Sequence, residues 1–307
     1  MTARLWLNGR RSARHRALPV PLGASMTATR TWFVTGSSAG LGRALVTELL
    51  GRGEAVAATA RDPATLTSLR SPSGQRPWTA ELDVTSADQI RQVVADAVAA
   101  LGRIDVAISN AGYGLFGAAE EATDEQVERQ LRTNLTGPIH LARALLPQLR
   151  AQGHGRIIQI SSVGGQATAP GTTIYNASKW GVEGFFESLA AEVKSFGIGV
   201  TIVEPGAVRT DFTGRSKELT EPLPAYQRTP AGSVRRSVAG GYVRYPGDLA
   251  KMAAAILDAA TAPEAPLRLT LGSDSYKLIR AGLMARLADV EAQKDSAAAT
   301  DAQRPAR

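Results

Sequence analysis

Residues 31–50 read Thr-Trp-Phe-Val-Thr-Gly-Ser-Ser-Ala-Gly-Leu-Gly-Arg-Ala-Leu-Val-Thr-Glu-Leu-Leu. The apolar run at 31–35 predicts a buried strand, and 41–51 carries an amphipathic helical pattern. Glycine in the turn between them lets the backbone approach a pyrophosphate. The helix that follows offers unpaired N–H groups and the positive end of its dipole. Thr35, Gly36, Ser38, Gly40, Leu41 and Gly42 are therefore candidates for a dinucleotide-binding loop. The spacing is GxxxGxG rather than the commoner GxGxxG, so its position, leaving the first strand and opening a helix, carries the argument. The same residues also match G-x-S-x-G, a nucleophile elbow with Ser38 as nucleophile. Two features oppose that rival. An elbow's oxyanion hole draws on an earlier strand–helix loop, and its histidine comes late in the chain, whereas the last histidine here is His154.

Working outward, the same alternation repeats. Strand-like runs lie at 55–60, 77–84, 104–109, 155–161, 198–205 and 267–271. Helical patterns fill 86–101, 124–150, 176–196, 247–262 and 273–290, with Ser86 and Thr123 as N-caps. Continuous apolar strands spaced by helices predict an α/β fold: a doubly wound parallel sheet of Rossmann type, helices on both faces, in one domain spanning 29–290. Residues 209–246 break the rhythm with four prolines and Arg228, Arg235 and Arg236, and read as an irregular lid over a substrate. Its arginines either favour an anionic group or are simply solvated. The segment 291–307 reads as a disordered tail.

Composition excludes several classes of function. The chain has 307 residues, 44% hydrophobic and 21% charged, enough for a sizeable core. With no cysteine there is no disulfide, thiol nucleophile or Cys-ligated metal, and the three histidines are too scattered for a zinc helix. No run of 18 apolar residues occurs, so no membrane span is expected and a cytoplasmic location is. The net charge of +7 points to nucleic acid only until it is located. Arg4, Arg10, Arg11, Arg14 and Arg16 supply five charges, leaving +2 for the rest. The basic character thus belongs to a leader, and no nucleic-acid partner is expected. That leader (1–28) reads as an Arg-rich transit peptide, a disordered arm, or a segment upstream of a natural start at Met26.

Two further features carry chemistry. The second strand ends in Ala60-Arg61, where an NAD-binding fold usually places a carboxylate for the ribose 2′-OH. A missing acid and a guanidinium suit a 2′-phosphate, so NADP(H) is expected over NAD(H), unless Arg61 merely pairs with Asp62 or solvent. Tyr175 and Lys179 stand four apart on one helical face. An ammonium beside a phenol favours phenolate, and in a chain with six lysines against 29 arginines a lysine there stands out.

These residues resemble the short-chain dehydrogenases/reductases over about Thr31 to Thr213. The resemblance implies that Asp83-Val84 contact the adenine and that Ser109-Asn110-Ala111-Gly112 form the fourth-strand cofactor motif, with Ser109 in place of its usual asparagine. It implies that Pro205, Gly206, Val208 and Thr210 hold the nicotinamide carboxamide. Asn134, Ser162, Tyr175 and Lys179 would be the catalytic set, for reversible hydride transfer at a carbonyl or alcohol carbon. In those roles Tyr175 is the general acid/base, Lys179 tunes it and holds the nicotinamide ribose, Ser162 polarises the carbonyl oxygen, and Asn134 anchors a relay water. Tyr113, Gly114, Ser162, Gly164, Gln166, Phe212 and Tyr226 would line the substrate site. The late segment looks like the branch related to 17β-hydroxysteroid and retinol dehydrogenases. The family likeness implies a small-molecule substrate and a homodimer or homotetramer through the helices at 124–150 and 176–196. The alternative from another class is a catalytically silent NADP(H)-binding sensor.

Overall fold

The computed structural model describes residues 29–208, 216–242 and 246–302. The leader at 1–28, together with Thr210 and Phe212, lies outside the described residues.

The strand β1 (Thr31–Val34) is buried along its whole length, and its side chains divide between two cores. Phe33 faces one cluster, while Trp32 and Val34 face the other. A strand buried on both faces needs a continuous apolar run rather than an alternating one. The same holds for β2 (Ala55–Ala60), β4 (Val106–Ser109), β6 (Gly155–Ile160) and β7 (Ile198–Pro205). With β3 (Trp78–Glu81) and β9 (Arg268–Leu271) they form a seven-stranded parallel sheet ordered β3-β2-β1-β4-β6-β7-β9. The order reverses between β1 and β4, which opens a crevice at the carboxyl ends of those strands.

One face is covered by α2 (Ala87–Leu101), α4 (Gly137–Gln152) and α5 (Thr173–Val193), through Ile90, Leu145 and Phe186 among others. The other is covered by α1 (Gly40–Gly51) and α7 (Leu249–Thr261), through Leu45, Leu49, Ile256 and Leu257. Ser86 and Thr123 cap their helices as the sequence predicts, accepting from Gln89 N and Gln126 N, both at 3.2 Å. The doubly wound α/β reading holds.

Three readings need correction. The helix expected over 124–150 is α3 (Asp124–Leu131), a π turn (Arg132–Thr136) and α4. The segment 209–246 is less irregular than its prolines suggest. It contains β8 (Lys217–Leu219), paired with β5 (Gly114–Phe116), and α6 (Pro230–Ala239), whose N-cap Thr229 sits before a proline at the first helical position. Beyond α8 (Ser273–Glu291), the expected disordered tail carries a short exposed helix, α9 (Lys294–Ala298).

Candidate functional site

The glycine turn is built by close approach. Gly36 has φ +67°, and a Cβ there would sit 2.9 Å from Ala111 Cα. At Gly42 it would run into the Gly36 carbonyl and Asn110 Nδ2. The turn is braced from β4. The Thr35 hydroxyl accepts from Asn110 N (2.9 Å) and Ala111 N (3.1 Å), and Asn110 Nδ2 donates to Thr35 O (2.9 Å) and Gly36 O (3.2 Å). Thr35 and Gly42 therefore shape the loop from beneath rather than face the cleft. Helix α1 opens at Ala39 without a capping side chain and with no acid in its first turn. Its first N–H groups are left for solvent or an anion.

The loop forms one end of a cleft of about 1140 Å³. Gly36, Ser38, Gly40, Leu41, Arg61, Asp83 and Val84 line this end. Asn110, Ala111, Gly112 and Tyr113 follow along the floor, and Ser162, Tyr175, Lys179, Pro205, Gly206 and Val208 line the far wall. Arg61 is exposed and has no ion-pair partner among the described residues. Asp62, its expected competitor, instead caps the turn at Pro63–Leu66 by accepting from Ala64 N (2.9 Å). One Asp83 oxygen accepts from the Thr85 N–H (2.9 Å) and hydroxyl (2.8 Å), which fixes the carboxylate at the β3 end.

Around Tyr175 the geometry is specific. Tyr175 sits in the first turn of α5, which starts at Thr173 rather than 176. Ser162, two residues past the end of β6, hydrogen-bonds the phenol, and its Oγ also accepts from Gly164 N (3.1 Å). Lys179 is buried; its Nζ donates to Ile160 O (2.9 Å) and lies 5.8 Å from the Tyr175 ring centre. Burial pushes the phenol up to about 12, against the lowering by Ser162. Burial also brings the Lys179 ammonium down to about 8, although the Glu183 carboxylate one turn along works to raise it. The lysine thus releases its proton before the phenol does. The expected lowering of Tyr175 by its lysine is absent from the free protein, because desolvation dominates and the ammonium is gone at the pH where the phenol would ionise.

Asn134 is enclosed in the π turn, with its side chain committed: Nδ2 donates to Tyr113 O (2.8 Å) and Oδ1 accepts from Tyr113 N (3.1 Å). Gly164 packs against the Tyr175 ring, where a Cβ would lie 3.2 Å from Cε1. Gln166 is tied to Glu183 (3.2 Å) and, through its carbonyl, to Arg286 (2.6 Å). Gly164, Gln166 and Gly114 are not among the residues lining the cleft, and the Tyr226 hydroxyl donates to Glu120 (2.8 Å) outside it.

Some participants gave no sequence signal. Phe116, Arg129, Arg132, Thr133, Lys217 and Val238 also line the cleft. Behind them the buried Glu121 clamps the late segment: it pairs with Arg235 and accepts from Thr220 Oγ1 (3.0 Å), Leu223 N (3.0 Å) and Ala118 N (2.8 Å). Burial alone would push this carboxyl up, but Arg235 and the backbone donors bring it to about 2. Nothing in the run Ala-Ala-Glu-Glu at 118–121 marks Glu121 as an anchor. Of the described histidines neither His140 nor His154 reaches the cleft, and His154 lies against Asp105 (3.2 Å), so neither can serve Ser38 as a base. Among the described residues no cluster could hold a metal ion, and no helix is long and apolar enough to cross a membrane.

Comparison with known proteins shows the family. The short chain dehydrogenase family model matches residues 30–220. The chain is 42% identical over 253 residues, 81% of its length and 91% of the relative's, to an oxidoreductase of Botryotinia fuckeliana named BOA17. It is 35% identical to retinol dehydrogenase 8 of Homo sapiens over 61% of this chain and 62% of that one, in line with the branch read from the late segment. A short-chain dehydrogenase from Streptomyces avermitilis superposes with TM-score 0.83 at 39% identity, covering 90% of this chain and all of that one. Of more distant solved structures, one from Burkholderia phymatum was determined with NAD (20% identity, TM-score 0.74) and a metagenomic oxidoreductase with NADP (25%, TM-score 0.59). The chain therefore belongs to the short-chain dehydrogenase/reductase family, oxidoreductases built on a nicotinamide-nucleotide-binding fold.

Proposed function

We propose that the protein is an NADP(H)-dependent oxidoreductase that transfers hydride between the nicotinamide and a carbonyl or secondary alcohol substrate, with Tyr175 as general acid/base. The observation that carries this reading is one cleft with the Gly36 turn at one end, beside an Arg61 that no described residue pairs with, and Ser162, Tyr175 and Lys179 on the opposite wall. The cleft fits such a cofactor on three counts. The Gly36 position leaves no room for a Cβ, the first turn of α1 is uncapped, and the volume suits an extended nucleotide. NADP(H) supplies the hydride acceptor or donor and, when oxidised, a positively charged ring.

The chain's own residues do the rest. Arg61 grips the 2′-phosphate, and no carboxylate stands at Ala60 to oppose it. Pro205, Gly206 and Val208 offer backbone to the carboxamide. Their loop is held in place by Asp274, which accepts from Ala207 N (2.7 Å), and by Leu271, whose carbonyl accepts from Gly206 N (2.8 Å). In reduction Tyr175 gives its proton to the carbonyl oxygen, and in oxidation it takes the alcohol proton. Ser162, already hydrogen-bonded to that phenol, donates to the same substrate oxygen. Lys179 keeps positive charge beside the phenol. Asn134 spends its side chain on Tyr113, so its part in a water relay falls to its backbone carbonyl.

Fluorescence titration with NADPH and, separately, NADH tests the reading. Tighter NADPH binding supports it, and folded protein that binds neither rejects it.

A further inference from the structure

Ten large apolar side chains are exposed among the described residues, and six of them sit on one helix, α8. On its inner face α8 is fully docked. Ser275 donates to Glu204 O (2.8 Å), Ile279 is buried, and Gly282 packs against the Gln166 carbonyl. Arg286 donates to that carbonyl and stacks 4.8 Å over the Trp180 ring. No described residue covers the rest of the α8 surface. At 100° per residue, Tyr276, Leu283, Leu287 and Val290 fall within about 60° of arc and form a stripe about 21 Å long. These four side chains are 49 to 67% exposed. Such a stripe on a soluble chain marks an interaction surface.

The charges along the helix identify the occupant. Of its ionic groups, Asp274 is spent on Ala207 N and Arg286 on Gln166. Lys277 and Arg280 near the start and Glu291 at the end line one edge of the stripe. A helix whose free charges run from basic to acidic along one edge is complementary to itself turned end for end. An antiparallel copy whose axis crosses near Leu283 and Met284, the middle of the apolar stripe, would set each Lys277 beside the other chain's Glu291. The helix carries three basic and three acidic residues, so it has no net charge to draw it to an anionic lipid surface.

We propose that α8 is the seam of an isologous homodimer, two copies packed antiparallel through Tyr276, Leu283, Leu287 and Val290. This seam is separate from the helices at 124–150 and 176–196 through which the family likeness implies assembly. It does not depend on the cofactor or the reaction.

The test is the mass of the full chain by size-exclusion chromatography with light scattering, at about 10 μM, ten times a micromolar Kd. The double variant Leu283→Arg/Leu287→Arg should halve the wild-type mass, with a dissociation constant weaker on the order of 100-fold, and keep the wild-type far-UV CD spectrum. Lys277→Glu and Glu291→Lys should each weaken association by about 5-fold, and the two combined should restore it. A monomeric wild type, a mass indifferent to the leucine changes, or a charge swap without rescue would each overturn the proposal. Sedimentation with anionic vesicles that disappears in the leucine variant, with no change of mass, would assign the face to lipid instead.

Discussion

Replacing Lys179 by methionine tests how the candidate base is made usable at neutral pH. In the free protein Tyr175 is held up to about 12 by burial. To work as a base near pH 7 it must come down by about 5 units, or about 7 kcal/mol. A full ammonium at the 5.8 Å that separates Lys179 Nζ from the ring, with an effective dielectric of about 20, contributes about 3 kcal/mol, or about 2 units. The remainder falls to the oxidised nicotinamide, since the Ser162 hydrogen bond already acts in the free protein. Lys179→Met should therefore move the ascending limb of the alcohol-oxidation pH profile, where Tyr175 loses its proton, upward by about 2 units and cut the rate at pH 7 about 100-fold.

Unfolding would not explain such a loss. The folded-state pKa of Lys179 is lowered from 10.5 to about 8, so the buried charge destabilises the fold fully below pH 8, and that penalty fades as pH rises from 8 to 10.5. Methionine removes about 3 kcal/mol of penalty at pH 7, offset by the 1–3 kcal/mol or so of leaving Ile160 O without its donor. The variant should melt within a few degrees of wild type. The assay is steady-state oxidation of the best alcohol found in a substrate screen, from pH 6 to 10. A profile that stays in place while turnover persists would refute the electrostatic role.

Other perturbations have equally definite outcomes. Arg61→Ala should weaken NADPH binding by 10-fold or about 100-fold at most, and leave NADH binding unchanged, in parallel fluorescence titrations. Gly36→Ala should abolish cofactor binding and lower stability by at least about 1 kcal/mol in urea unfolding, since the added methyl meets Ala111 in a left-handed backbone. Glu121→Gln should cost about 3 kcal/mol, because it strands the buried Arg235. Glu121 also sets an acid limit. Its folded pKa of about 2 lies below the ordinary 4.5, so about 3 kcal/mol of stability is present above pH 4.5 and lost as pH falls toward 2, a slope that urea midpoints should show in wild type and not in Glu121→Gln.

What could be read in the sequence follows from how local the signals are. Strands buried on both faces must be apolar throughout, so β1, β2, β4, β6 and β7 stand out. Gly36 and the Tyr175–Lys179 pair are legible because each needs particular residues at fixed spacing. The clamp of Glu121 on Arg235 spans 114 residues and leaves no such pattern. The π turn at Asn134 is likewise hidden, since Thr-Asn-Leu-Thr has no composition to set it apart from a helix. Gln166 misleads for a related reason. It follows the Ser162 loop as a substrate contact would, yet Glu183 and Arg286 claim its polar atoms from distant elements. Ionic order within the cleft is also invisible in sequence, because burial rather than the neighbouring lysine sets the Tyr175 pKa.

Hydride transfer with Tyr175 as the proton-transferring group is tested by NADPH consumption over a panel of aldehydes and ketones by wild type and Tyr175→Phe. Wild type should turn over, the variant should lose about 10²-fold to 10⁴-fold, and both should retain NADPH binding. Equal turnover by the variant would contradict the assignment of Tyr175. Tight NADPH binding with no turnover of any carbonyl or alcohol by wild type would contradict the enzymatic reading and favour a nucleotide sensor.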